Sequence, residues 1–198
     1  MMRLFIAVDL PEVNDNNEPI QFANMQLLID QAIPDFRPTK TFHTTLVFIG
    51  SVSDSLVPKI KTAIERAVNA FINDQKNGLA NGIGGIMMQQ GASLMGKNAI
   101  AMKLSDNYEL AVLALELRKY FNEYQLPHDR HEEINLHVTL GRIAPENKNA
   151  IEIRRFLELL PAPIGARAQL QETFTAHTIT LYQSLQGSEY IPLARYKI

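Results

Sequence analysis

Two short segments of the chain match. One is Phe42-His43-Thr44-Thr45-Leu46 and the other is Leu136-His137-Val138-Thr139-Leu140. Each reads apolar, His, any residue, Thr, Leu, and the two histidines stand 94 positions apart, from 43 to 137, close to half of the 198-residue chain. A single His-x-Thr carries no information. The pair suggests one proton-transfer cycle shared by two imidazoles, one acting as base and the other as acid, because an unperturbed imidazole titrates near pH 6.5. The hydroxyls of Thr45 and Thr139 are suited to donate to the oxygens of a phosphate. Two unperturbed rings would give a bell-shaped rate profile with limbs around pH 6.5.

Such a site needs two strands. Side chains two apart on a strand share a face, so His43 projects with Thr45, and His137 with Thr139. Residues 42–49 are rich in Thr, Val, Ile and Phe and stop at Gly50, and 134–143 reads as a second strand. A helix with apolar residues at spacings of three and four follows the first motif, from Leu56 to Phe71, and 150–160 predicts another after the second. Two lobes related by a pseudo-twofold axis would bring both motifs around one cavity.

The remaining elements alternate irregularly. Residues 3–10 predict a strand, 14–33 a helix of open start, 99–104 a strand, and 110–124 a helix closed by Pro127. Residues 76–98 carry six glycines; no G-x-G-x-x-G follows a strand and opens a helix, so loops around a short strand at 83–90 are expected. Residues 174–182 and 190–196 predict a hairpin through Gly187. The fold class expected is α+β: two pseudo-twofold lobes of mainly antiparallel sheet, helices on the outer faces, the active site in the cleft between them, and 1–198 one bilobal domain.

Composition narrows the options. Cysteine is absent, which excludes disulfides, thiolate metal sites and a thiol nucleophile. With 19 basic and 21 acidic residues, long-range attraction to a polyanion is weak, so a nucleic-acid substrate would be gripped locally at an end. Lys40, Lys97, Arg130 and Arg195 are candidates for a local basic rim, though ordinary surface charge is the plainer reading. The apolar run Leu4–Val8 is cut short by Asp9 and Pro11, so neither a leader nor a membrane span is expected. His128-x-x-His131 with Glu132 and Glu133 is the one candidate metal cluster, and its polar setting reads as a solvated loop. His177 is expected to pack on a strand beside Ile179 and Leu181. Tyr182 and Tyr190 are read as core or cross-strand residues, with base stacking as the alternative.

The paired motif, the opening Arg3-Leu4-Phe5-Ile6-Ala7-Val8-Asp9-Leu10-Pro11, the stretch Phe42–Gly50, the stretch Leu136–Arg142 and the closing Ile179–Ser184 with Tyr190–Leu193 resemble the two-histidine phosphoesterases. Within them the resemblance is to the RNA 2′,3′-cyclic phosphodiesterases once called 2′-5′ RNA ligases. Thr44 and Leu136 depart from the usual pattern, which favours an apolar residue and a proline there. The resemblance implies hydrolysis of a 2′,3′-cyclic phosphate to a 2′-phosphate, with His137 as base and His43 as acid, no cofactor and no metal, and 2′-5′ ligation as the reverse reaction. It also implies that Arg142 contacts the phosphate and Phe48 the nucleoside; the alternatives are a surface ion pair for Arg142 and plain core packing for Phe48. Each stands five residues after its histidine, an odd offset that regular alternation would place on the opposite face; a bulge at Gly141 would restore Arg142. The expected partners are RNA ends carrying a cyclic phosphate, handled by a cytoplasmic monomer with no obligate protein partner. The rivals are a phosphodiesterase of a small nucleotide (a cyclic ADP-ribose phosphate or a 2′-5′ oligoadenylate) and a non-catalytic RNA- or nucleotide-binding module.

Overall fold

The computed structural model describes residues 1–11, 22–74, 82–130, 134–144, 150–160, 173–185 and 189–198. Among the described residues, nine strands and four α-helices run in the order β1 (Met2–Asp9), α1 (Phe22–Ala32), β2 (Arg37–Pro38), β3 (His43–Val52), α2 (Val57–Asp74), β4 (Ile83–Met95), β5 (Ala99–Leu104), α3 (Tyr108–Glu123), β6 (His137–Arg142), α4 (Ala150–Leu159), β7 (Thr173–Ala176), β8 (Thr178–Ser184) and β9 (Tyr190–Lys197). The strands form one sheet in the order β7-β4-β5-β6-β3-β1-β8-β9, with β2 paired to β6, and every pairing is antiparallel.

That order has a centre. The two motif strands, β3 and β6, are neighbours in the middle, joined at the pair Thr44–Val138. Three strands of that order lie beyond each of them, and β1 flanks β3 as β5 flanks β6. The helices obey the same relation with a crossing. Helix α1 leads into β3 yet touches β6, and α3 leads into β6 yet packs on β3. Helix α2 packs on α3, and α4 on β4. The expected lobes are therefore the two halves of a continuous sheet, each covered in part by a helix from the other half.

Periodicity explains the clearest helices. In α2 the buried residues are Ile60, Ala63, Ile64, Ala67, Val68 and Phe71, one continuous stripe. In α3 they are Leu110, Leu113, Ala114, Leu117 and Phe121, and Asn107 caps the start by accepting from Leu110 N at 3.0 Å. In β1, Leu4 to Val8 are all buried: Leu4, Ile6 and Val8 in the main core, Phe5 and Ala7 on the other face with Tyr182 and Tyr190. A side chain such as Ile6, fully removed from water, contributes about 1.5–3 kcal/mol.

Three expectations need correction. Residues 83–95 form one long strand, where loops around a short strand were expected. Gly85 and Gly91 take positive φ (65° and 85°) at its two register shifts, so the glycines bend β4 from β7 onto β5 without ending it. The predicted strand 174–182 is two strands that part at His177: β7 joins the β4 edge, while β8 joins β1 at the other end. The sheet must curl for one residue to span that gap, and Ile198 N does bond His177 O at 3.0 Å. His177 is exposed at this break, unlike the packed strand residue expected. Gly187, the proposed turn residue, lies outside the described residues, as do 14–21 of the expected first helix.

Candidate active site

The motif strands place their side chains as the two-residue period requires, and then depart from it. Continuing the antiparallel register from Thr44–Val138 sets His43 opposite Thr139 and Thr45 opposite His137. All four line one cavity of about 130 Å³. Phe48 and Arg142 line it too, against simple alternation. The cause is a pair of matching bulges. On β3, Val47 pairs Ile6 and Thr45 pairs Ala7, so Leu46 is extra; on β6, Gly141 pairs Ile100 and Thr139 pairs Ala101, so Leu140 is extra. One extra residue flips the parity, and Phe48 and Arg142 return to the face of their histidines. The bulge beside Gly141 was legible in the sequence. Its twin at Leu46 was not, because no glycine marks it.

Gly141 has a second duty. A Cβ there would sit 2.4 Å from the Phe36 ring and 2.5 Å from Arg37 O. The missing side chain is what lets β2 close against β6.

The two imidazoles differ. His137 is half-exposed, and its Nδ1 lies 2.7 Å from Asn135 O. A carbonyl only accepts, so Nδ1 carries the hydrogen, and in the neutral ring the free lone pair is on Nε2. His43 is 6 % exposed. Phe5, Tyr190 and Tyr182 surround it, with ring centroids 5.2, 4.9 and 5.5 Å away. Burial in this aromatic setting lowers its pKa to about 4, against the opposing pull of the Asp9 carboxylate and of Thr41 O. His137 adds a small lowering. Thr41 stands two residues before His43 as Asn135 does before His137, yet His43 Nδ1 makes no hydrogen bond among the described residues.

Asp9, paired with His43 across β1 and β3, is held in place behind it. Thr180 Oγ1 donates to one carboxylate oxygen at 2.6 Å and Tyr182 OH to the other at 2.7 Å, with Arg195 Nε at 3.9 Å. Burial and that carboxylate push the Tyr182 phenol well above its ordinary range.

Other predicted residues fall as follows. Arg142 is half-buried and donates to Asn98 Oδ1 at 3.4 Å, so the surface ion pair considered for it does not form among the described residues. Phe48 is 47 % exposed, which removes the core-packing reading. Tyr182 is buried, while Tyr190 reaches the cavity. Lys40 pairs with Glu189 at 2.7 Å on the surface, and Lys97 and Arg130 are exposed away from any ion pair among the described residues. His128 turns Nδ1 to Leu126 O at 3.2 Å and packs edge-on to Phe121; His131, Glu132 and Glu133 lie outside the described residues. Among the described residues no cluster of metal-ligating side chains forms, and no helix is long and apolar enough to cross a membrane. Sequence reasoning missed Phe5, Asp9, Arg3 and Ser184 at this site. They sit on flanking strands, and only pairing register brings them in.

No protein-family profile matches the sequence, and no curated protein does. Solved structures do. One is Escherichia coli LigT complexed with 3′-AMP, 20 % identical, covering 100 % of this chain and 98 % of that one, with a TM-score of 0.61. LigT is also known complexed with phosphate, ATP and NADP+. TT0787 of Thermus thermophilus is 18 % identical over 99 % of this chain and 97 % of its own, with a TM-score of 0.59. Usb1 of Kluyveromyces marxianus is 15 % identical over 96 % of each chain, with a TM-score of 0.55. The fold of this chain is the one these solved structures have.

Proposed function

We propose that this protein is a two-histidine phosphoesterase that hydrolyses a terminal 2′,3′-cyclic phosphate on RNA to a 2′-phosphate. The observation that carries the reading is the convergence of His43, Thr45, His137, Thr139 and Arg142 on one small cavity from two bulged, pseudo-symmetric strands. No local rule of sequence makes five such groups meet, and each has a task in this chemistry.

The Arg142 guanidinium and the two threonine hydroxyls hold the non-bridging phosphate oxygens. Water attacks phosphorus in line with the 3′ oxygen. Its proton passes to Nε2 of His137, the nitrogen left free by the Asn135 contact. The P–O3′ bond breaks, and His43 gives its proton to the departing oxygen. His43 is neutral in the empty site at neutral pH, and the phosphate anion, with Asp9 behind the ring, draws it toward the protonated form. Phe48, open to solvent at the cavity, offers a face to the nucleoside.

The test is direct. Purified protein is incubated with an RNA oligonucleotide ending in a 2′,3′-cyclic phosphate, and the product is read by mass and by phosphatase sensitivity. Gain of one water with the phosphate on the 2′ oxygen is expected. An untouched end, or a 3′-phosphate product, overturns the assignment. A second reading, a small nucleotide as substrate, is favoured by the ligands of LigT, which are phosphate or free nucleotides. A panel of cyclic mononucleotides and oligonucleotides compared by kcat/KM separates the two.

A further inference from the structure

Both bulges have a brace, and in each case the brace comes from the opposite half of the chain. Leu140, the extra residue of β6, presents a carbonyl that the β5–β6 register leaves out. Gln26 on α1 donates Nε2 to it at 2.6 Å and to Thr39 O at 2.9 Å, and Thr39 N also donates to Leu140 O at 2.9 Å. Both neighbours of the amide are carbonyls, so the nitrogen must face them. Leu46, the extra residue of β3, presents its carbonyl to Arg118 Nη2 on α3 at 3.5 Å. Arg118 also lies 3.6 Å from Asp129, both largely buried, and Asp129 N donates to the Phe48 carbonyl at 2.7 Å. Helices α1 and α3 hold equivalent places in the two halves, and so do Leu140 and Leu46.

We infer that Gln26 and Arg118 are paired positioning residues: Gln26 fixes the β6 bulge that turns Arg142 into the cavity, and Arg118 fixes the β3 bulge that turns Phe48 into it. A bulge leaves one residue unpaired in the ladder, and its carbonyl must find a donor elsewhere. Losing Gln26 leaves Leu140 O with Thr39 N alone, and losing Arg118 removes the side-chain donor of Leu46 O, so each strand's hold on its bulge weakens toward regular alternation, which would carry Arg142 or Phe48 to the covered face. Regular pairing would leave His43, Thr45, His137 and Thr139 on the cavity side. The two braces thus act on ligand grip and leave the imidazole pair in place. The inference rests on the proposed phosphate-ester site, and it assigns the phosphate end to Gln26 and the nucleoside end to Arg118.

Binding reads this out independently of turnover. The probes are inorganic phosphate and 2′-AMP, titrated by calorimetry against wild type, Gln26→Met, Gln26→Lys, Arg118→Met, Arg142→Ala and the Gln26→Met/Arg142→Ala double variant. Gln26→Met should weaken both ligands about tenfold, and Gln26→Lys, which keeps a donor, should recover most of it. In the Arg142→Ala background Gln26→Met should add less than about twofold, because its effect runs through the arginine. Arg118→Met should weaken 2′-AMP and leave inorganic phosphate unchanged. Additive losses in the double variant, or unchanged affinity in a folded Gln26→Met protein, overturn the inference. If wild type binds both probes yet leaves a cyclic-phosphate end intact, the proposed activity fails and the positioning result is still decided. A wild type that binds neither probe overturns both.

Discussion

At the scale of single residues, the two histidines are unequal, and their inequality has measurable consequences. His43→Ala and His137→Ala are each expected to lower kcat on a cyclic-phosphate end by about a hundredfold to ten-thousandfold, the usual worth of a positioned acid or base, with circular dichroism unchanged. Retention of near-normal turnover by either variant would end the two-histidine mechanism. Burial of His43 also sets the pH dependence. Its folded pKa is about 4 against an ordinary 6.5, so between those values the unfolded chain binds more protons than the folded one. Stability is complete above about pH 6.5 and falls as pH drops toward 4, by roughly 3 kcal/mol from this group. The melting temperature of wild type should drop more from pH 7 to pH 4.5 than that of His43→Gln, and parallel curves would deny the burial effect. The apparent value that His43 contributes to the kcat/KM profile, which reports the free enzyme, should lie near pH 4, well below that of an unperturbed ring. In kcat it should move upward, because a bound anion favours the protonated ring. Thr44 supplies a separate test. It is fully buried at the bridge between β3 and β6, and its hydroxyl has no hydrogen-bond partner among the described residues. Thr44→Val keeps the shape and removes that hydroxyl, so a gain of about 1 kcal/mol in denaturant unfolding is expected, with kcat/KM unchanged.

At the scale of elements, the site depends on two strands that share one bulge, at Leu46 and at Leu140, while β3 has a further register shift against β1 at Ile49. Each bulge stands between a threonine and the residue that closes the cavity, three positions on. Gly141 makes the β6 bulge compatible with β2, since any side chain there meets Phe36 and Arg37 O. Gly141→Ala should cost about 1–3 kcal/mol through this overlap and should weaken phosphate binding as β2 and Arg142 shift. A folded Gly141→Ala protein with wild-type phosphate affinity would show that β6 can adopt its bulge without the close approach of β2.

At the scale of the whole molecule, the larger of two hydrophobic clusters among the described residues runs across both halves. It includes Ile6, Leu46 and Phe71 from the first and Ile100, Leu117 and Leu140 from the second. Because α1 contacts β6 and α3 contacts β3, part of the apolar surface of each half is covered by the other. One cooperative unfolding transition is expected, with far-ultraviolet circular dichroism and tyrosine fluorescence coincident. Two separated transitions would make the halves independent units. Both proton transfers are assigned to imidazoles, so kcat on a cyclic-phosphate end is expected to be the same in excess chelator. A collapse restored by a divalent ion would put a metal in the mechanism.

The chain's own pattern determined the helices α2 and α3, the motif strands and the identity of the four groups His43, Thr45, His137 and Thr139. Helical and strand periods act over a few residues, and a repeated motif is visible without coordinates. Even the β6 bulge left a trace in Gly141. Tertiary structure decided the rest. Which strands lie together, that β7 and β8 part at His177, that β4 continues through its glycines and that Leu46 is extra all depend on pairing between distant segments, which no local spacing encodes. The same holds for the chemistry of the pair. Two nearly identical motifs give two nearly identical histidines on paper. Only the fold packs Phe5, Tyr182 and Tyr190 around His43 and leaves His137 half-open, because burial and nearby charge, which set an imidazole's proton affinity, come from neighbours far away in the chain.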